Sequence, residues 1–273
     1  MKILHPNNKD IFFLKEMWKN IFGDTEEYID LFFSEVQTAE NTLVVKLQNK
    51  VIAMVFYPEY SCKIGGKETK CGYICGAATL PEYRGQGVMG KLLNAALEDM
   101  KSRNYGACVL IPAGESLFNY YKKFGFIKNT CYRIAENVNI SKPFNRSVTV
   151  ADNIEDIWDI YCKATENISN IVLQSKESYK AVMEEYEGRV YLYDKKCFMF
   201  VNGNTVDEIF AKESSAIPEA ISAIQEFLNI KICSIRCYSG YLKEYGEIFY
   251  NGMFLNLQNF APSDNIYLKM VLE

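Results

Sequence analysis

The chain has 273 residues, of which 49% are apolar and 23% charged, and it carries a net charge of -4. This is long for one compact core and comfortable for two domains of about 130 residues each, so a folded, soluble protein is expected. No apolar run approaches the roughly 20 residues needed to cross a bilayer, and MKILHPNNKD has neither a sustained apolar segment nor a small-residue cleavage site, so no membrane contact or secretory signal is expected and the cytoplasm is the default address.

The first elements are helical. Ile11, Leu14, Trp18 and Ile21 recur at helical spacing and predict a helix over 10–20; a second, over 24–36, opens on the capping stretch DTEE. Strands are predicted over 43–47 and 51–57, joined by Gln48-Asn49-Lys50, and a second hairpin through Ile64-Gly65-Gly66-Lys67 leads into a run over 72–80 that Pro81 ends. RGQGVMGKL follows at 84–92. Apolar positions from Val88 to Met100 then keep helical period, ACVLI is a buried-type strand stopped by Pro112, a helix over 115–124 ends in Gly125, and Phe126 starts another strand.

A polar stretch over 137–147, with Pro143 inside, reads as a linker. Beyond it the order restarts: helices over 154–165 and 176–186, strands over 190–193, 197–201 and 206–211, a helix over 218–228, a strand over 231–238, a short helix over 242–249, Gly252 and a closing strand over 266–272. Gly87 to Gly125 spans 38 residues, and so does Ser214 to Gly252. The spacing predicts a tandem duplication at an offset of 127, with domains at 1–138 and 147–273.

Charge and cysteine usage narrow the chemistry. Residues 1–150 hold 19 Lys and Arg against 15 Asp and Glu, a balance of +4, while 151–273 hold 11 against 19, a balance of -8. A mildly basic first half suits an anionic ligand, and the chain lacks the Lys/Arg clusters that grip nucleic acid, so no nucleic-acid partner is expected. Nine cysteines include no C-x-x-C pair and His5 is the single histidine. Neither a metal site nor a histidine-based triad is expected, and the cysteines read as reduced, small and mostly buried.

RGQGVMGKL matches three phosphate-binding signatures. Gly85, Gly87 and Gly90 spell G-x-G-x-x-G, Gly85 to Lys91 spell G-x-x-x-x-G-K, and Arg84 to Gly87 spell the R-x-x-G of an acyl-CoA pyrophosphate loop. A dinucleotide fingerprint needs its glycines directly after the first strand and a carboxylate at the tip of the second; here Pro81-Glu82-Tyr83-Arg84 intervene and the second strand ends in Leu110-Ile111-Pro112. A triphosphate loop needs Ser or Thr where this chain has Leu92. What remains is a loop of backbone N–H groups opening a helix N-terminus, with one arginine at its entrance.

TLPEYRGQGVMGKLL, followed by ACVLIPA and LFNYYKKFGF, resembles the core of a GNAT-superfamily N-acetyltransferase. The match runs in element order over about 9–135 and in motif from Gly72 to Phe126; Met89 stands where the family has its last small loop residue, with Gly90 one step later. With the repeat, this is similar to the enhanced-intracellular-survival type of tandem acetyltransferase, whose third, sterol-carrier-like domain this chain is too short to hold. The resemblance implies an α/β (α+β) fold of two GNAT-like domains, each a mixed, mostly antiparallel sheet flanked by helices. It implies acetyl-CoA as co-substrate, with its pantetheine arm paired to a strand edge near Ala78 and Leu80. Backbone N–H groups of Gly85, Gln86, Gly87, Val88, Met89 and Gly90 would cradle the pyrophosphate, beside Arg84 and Lys91.

The resemblance also implies that Tyr121, four residues before Gly125, protonates the departing thiolate, that Tyr120 packs, and that a backbone N–H near Leu80 stabilises the oxyanion. No general base stands out among Glu82, Glu115 and the terminal carboxylate of Glu273, and a water relay serves equally. Opposite Arg84, Gly85, Gln86 and Gly87 the second half has Ala211, Lys212, Glu213 and Ser214, and opposite Tyr121 it has Ile248; a non-catalytic domain that walls or completes the acceptor site is expected. The acceptor is a primary amine of a small molecule or peptide. Rival readings are a non-catalytic acyl-CoA sensor or scaffold, and a transferase of amino acids from charged tRNA.

Overall fold

The computed structural model describes residues 1–136, 140–142, 147–258 and 265–269. The expected linker positions 137–139 and 143–146, and Glu273, lie outside the described residues. In chain order the first half has β1 (Lys2–Leu4), α1 (Ile11–Phe22), α2 (Glu26–Leu31) extended by a π-helical turn over Phe32–Val36, β2 (Thr42–Leu47), β3 (Lys50–Phe56), β4 (Glu59–Ile64), β5 (Lys67–Thr79), α3 (Val88–Ser102), β6 (Ala107–Leu110), α4 (Glu115–Lys122) and β7 (Ile127–Glu136). The remainder has β8 (Val148–Val150), α5 (Ile154–Thr165), β9 (Ile171–Leu173), α6 (Lys176–Tyr186), β10 (Val190–Tyr193), β11 (Cys197–Asn202), β12 (Thr205–Ala211), α7 (Ile217–Leu228), β13 (Ser234–Cys237), β14 (Gly246–Asn256) and β15 (Ile266–Tyr267).

These elements divide into two compact units whose segments interleave. Met1–Cys62, Thr69–Lys128 and Gly252–Ala261 form one, and Lys63–Glu68, Asn129–Asn251 and Pro262–Glu273 the other. Each unit draws segments from both of the stretches, 1–138 and 147–273, that the repeat suggested. A strand from late in the chain serves the first unit, and most of β7 serves the second.

In the first unit β1, β2, β3 and β5 pair antiparallel in that order, and β5 then pairs parallel with β6. The far edge of β6 is covered by the end of β14, antiparallel, with Met253 opposite Leu110 and Asn256 opposite Ala107. One face of this sheet buries Leu92, Leu93, Ala96 and Met100 of α3 with Tyr105 and Met253. The other buries Leu14, Trp18, Phe32 and Phe33 against Met54 and Phe56, with the Trp18 and Phe32 ring centroids 4.5 Å apart. The 3.6-residue stripe on each helix and the two-residue alternation on each strand supply these faces.

The second unit pairs β8, β10, β11, β12, β13, β7, β15 and β9 in that order around a core that includes Phe198, Phe200, Phe210, Ile221 and Ile224. Here one expectation fails: the helix predicted over 242–249 is a turn followed by the strand β14. The stretch GEIFYNGMFLN is rich in aromatic and branched residues, which favour a pleated strand, and its register is set by β6, which is distant in sequence. Among the described residues, the second half therefore shows a strand where a counterpart of α4 was expected.

Candidate active site

Strand β5 organises the site. Its residues Cys71 to Ile74 pair with Ala107 to Leu110 of β6, and no pairing follows, because β6 ends at Leu110 and Pro112, just beyond, has no N–H to offer. From Cys75 to Thr79 the strand keeps its antiparallel partner β3 but leaves the edge toward β6 open. Gly76 and Ala77 stand opposite the single residue Val55, a β-bulge with Gly76 at φ +53. A Cβ on Gly76 would lie 2.5 Å from the Phe56 ring and 2.7 Å from Trp18, so only glycine fits.

Alternation decides which groups face the opening. Leu80 N–H donates to Ile52 O at 2.9 Å, Ala78 is opposite Met54 and Thr79 opposite Ala53. In an antiparallel pair the bonded and unbonded positions alternate, so Ala78 and Leu80 turn their backbone groups to β3 while Thr79 turns its N–H and C=O outward. The edge expected near Ala78 and Leu80 thus offers its free groups at Thr79, between them, and the Leu80 N–H, expected as the oxyanion donor, is already bonded to Ile52 O. The Thr79 carbonyl accepts from Arg84 Nε at 2.9 Å.

Pro81–Tyr83 make one 3-10 turn, braced by Gln86 Nε2 donating to Glu82 O at 3.1 Å. Gly85 and Gly87 then take φ +72 and +73, with nothing within 4 Å of an added Cβ. Gly87 caps α3, which has no side-chain cap and no acidic residue in its first turn. By contrast, α5 and α6 are capped by Asn153 and Ser175 and carry Glu155 and Asp156, or Glu177, in their first turns. The α3 N-terminus is left with unmatched N–H groups and positive potential, which suits an outside anion. Lys91 is exposed just beyond.

Val88 is buried and Met89 half-buried, both packed into the α3 core. A Cβ at Gly90 would make ordinary contacts, 3.5 Å from the Phe124 ring and 4.0 Å from the Tyr120 hydroxyl.

Helix α4 buries Tyr121 in the same cluster as Val88, Ala77 and Leu80, with its ring edge-on to Tyr120 and Phe126. Its hydroxyl makes no hydrogen bond to a described residue. Burial, with smaller contributions from Tyr120, Cys108 and Cys75, pushes the phenol up to about 12. Tyr120 is half-buried against Phe124. Among the carboxylates, Glu82 is exposed and ion-paired with Lys50 at 3.5 Å, and Glu115 is exposed in the first turn of α4; neither joins the cluster around Tyr121. Sequence reasoning missed Thr79 and the Gly76 bulge, although a glycine inside a strand is the signal for a bulge.

A glycine loop feeding an uncapped helix, an open bulged strand and a buried unpartnered phenol are what an acyl-CoA-dependent transferase requires. Residues 3–128 match the family model described as an acetyltransferase (GNAT) domain. The whole chain is similar in fold to a GCN5-related N-acetyltransferase from Anabaena variabilis (TM-score 0.74, 14% identity, 94% of this chain and 73% of that one). It is also similar to a probable N-acyltransferase of Enterococcus faecalis (TM-score 0.74, 13% identity, 94% and 72% covered) and to Eis1 of Mycobacterium abscessus (TM-score 0.67, 13% identity, 94% and 74% covered). At these identities the likeness is one of fold. No curated protein matches the sequence. Among the described residues no helix is long and apolar enough to cross a membrane.

Proposed function

We propose that this chain is an acetyl-CoA-dependent N-acetyltransferase that moves an acetyl group to a primary amine of a small molecule or peptide, by direct attack in a ternary complex. The observation that carries the reading is the pairing of an open strand edge at Thr79 with the side-chain-uncapped N-terminus of α3. One presents peptide-like donor and acceptor groups to a pantetheine arm, and the other presents N–H groups and dipole to a pyrophosphate. The left-handed glycines with open space above them support the same assignment.

Acetyl-CoA supplies the activated acyl group: the amine nitrogen bonds to its carbonyl carbon, the C–S bond breaks, coenzyme A leaves as the thiol, and one proton passes from nitrogen to sulfur. The outward Thr79 N–H is a donor available for the oxyanion. Tyr121 is the general acid. A phenol near 12 is a weaker acid than a thiol of about 8.5, so Tyr121 first stabilises the departing sulfur as a hydrogen-bond donor, and its proton moves on as the ammonium proton replaces it. The amine is deprotonated through water, since the described carboxylates near the loop face solvent.

The second unit is non-catalytic in this reading. Its parallel pair β12 and β13 is joined only at Thr205–Ser234 and Val206–Ile235. Two residues on, Glu208 is buried and accepts from the Tyr179 and Tyr267 hydroxyls, each at 2.9 Å. A buried carboxylate there, and among the described residues a strand where α4 has its tyrosine, support a non-catalytic role.

Replacing Tyr121 by Phe should lower kcat at least tenfold while coenzyme A affinity changes less than twofold. Equal turnover removes the tyrosine from the mechanism. A non-catalytic acyl-CoA sensor is the reading that gains if no amine stimulates thiol release.

A further inference from the structure

Thr79 Oγ1 is fully buried without a hydrogen-bond partner. Such a group costs free energy unless a water, an ion or a ligand completes it. It belongs to the very residue whose backbone faces the open edge of β5, and whose carbonyl is bound by Arg84. A valine would fill the same volume without the cost, so burial does not explain the hydroxyl.

We propose that the Thr79 hydroxyl is a cofactor-recognition group that hydrogen-bonds an amide of the pantetheine arm. The inference rests on the acyl-CoA reading of the cleft and goes beyond it, because it assigns to a side chain what the open edge assigns only to backbone. A hydroxyl both donates and accepts, so it serves an amide in either orientation. An amide lying along the β5 edge passes closest to the residue that turns its own amide outward.

The test uses the full chain with coenzyme A as ligand, measured by calorimetry, and thermal unfolding without ligand. Thr79→Val removes the hydroxyl and keeps the shape. It should raise the melting temperature of the free protein by about 2–4 °C and weaken coenzyme A binding about fivefold, the effect of one neutral hydrogen bond. Thr79→Ser, which keeps the hydroxyl, should bind within twofold of wild type; weakened binding by both variants alike would assign the loss to altered packing at this position, since valine keeps the methyl and serine keeps the hydroxyl, and would overturn the proposal. Thr79→Val binding as tightly as wild type overturns the hydroxyl's role while leaving the acyl-CoA reading intact. A wild-type protein that does not bind coenzyme A overturns both.

Discussion

Arg84 reaches back over its own loop and donates from Nε to the Thr79 carbonyl at 2.9 Å, tying the glycine loop to the open edge of β5. The Nη groups make no bond to described residues and point the guanidinium's remaining donors at solvent. One side chain thus fixes the spacing between the strand that would hold the pantetheine and the helix start that would hold the pyrophosphate.

Loss of that tie should appear in binding before chemistry. Arg84→Ala is expected to raise the KM for acetyl-CoA about tenfold, the scale of one charge-assisted contact, with kcat within threefold of wild type. Steady-state kinetics at saturating amine measures both, and a fall in kcat at unchanged KM would place Arg84 elsewhere in the mechanism.

Two glycines should respond in different ways. Gly76→Ala puts a Cβ 2.5 Å from Phe56 in a left-handed conformation, so it should destabilise the fold by about 3 kcal/mol or more. Gly85→Ala meets nothing within 4 Å and should cost about 1 kcal/mol of backbone strain, yet weaken coenzyme A binding by filling the cradle. Denaturant melts with and without coenzyme A distinguish the two.

The loop was legible in the sequence because its signals are local: left-handed glycines and the start of a helical stripe lie within seven residues. The edge of β5 was read one residue out of phase, at Ala78 and Leu80 instead of Thr79. The resemblance places the edge only to within a residue or so, and which position turns outward is set by the pairing of Ala78 and Thr79 with Met54 and Ala53 of β3, while the bulge at Gly76 is fixed by Trp18 and Phe56, which the chain brings in from α1 and β3. The stretch over 242–249 was misread for a related reason. It opens β14, whose far end, Met253–Asn256, pairs with β6 more than a hundred residues earlier. Strands of two or three residues, such as β1, β9 and β15, are too short to carry a period at all.

The pH profile follows from the two titrating partners. Tyr121, raised to about 12 chiefly by burial, lies above its unfolded value of about 10. The stability its neutral form contributes is therefore complete below about pH 10 and is lost as pH climbs toward the folded value. Turnover should rise with pH as the acceptor ammonium, near 10.4, deprotonates. A descending limb below about pH 9 that vanishes in Tyr121→Phe would show that the phenol titrates lower than its burial dictates.

Residues 1–138 alone should not fold into a working domain. Met253 is fully buried in the α3 core, and the Met253–Asn256 strand covers the edge of β6; without them the fragment exposes an unpaired apolar edge. The fragment is expected to aggregate or to lack a cooperative melt, and Met253→Ala in the full chain to cost about 2–5 kcal/mol. A soluble fragment with wild-type melting would contradict the interleaved architecture.

Acetyl transfer itself is the central claim, and release of free thiol from acetyl-CoA across a panel of primary amines tests it most directly. The account predicts amine-dependent release, saturable in both substrates, that falls at least tenfold in Tyr121→Phe. Tight binding of coenzyme A with no release above the hydrolysis background for any amine, small or peptidic, would contradict it.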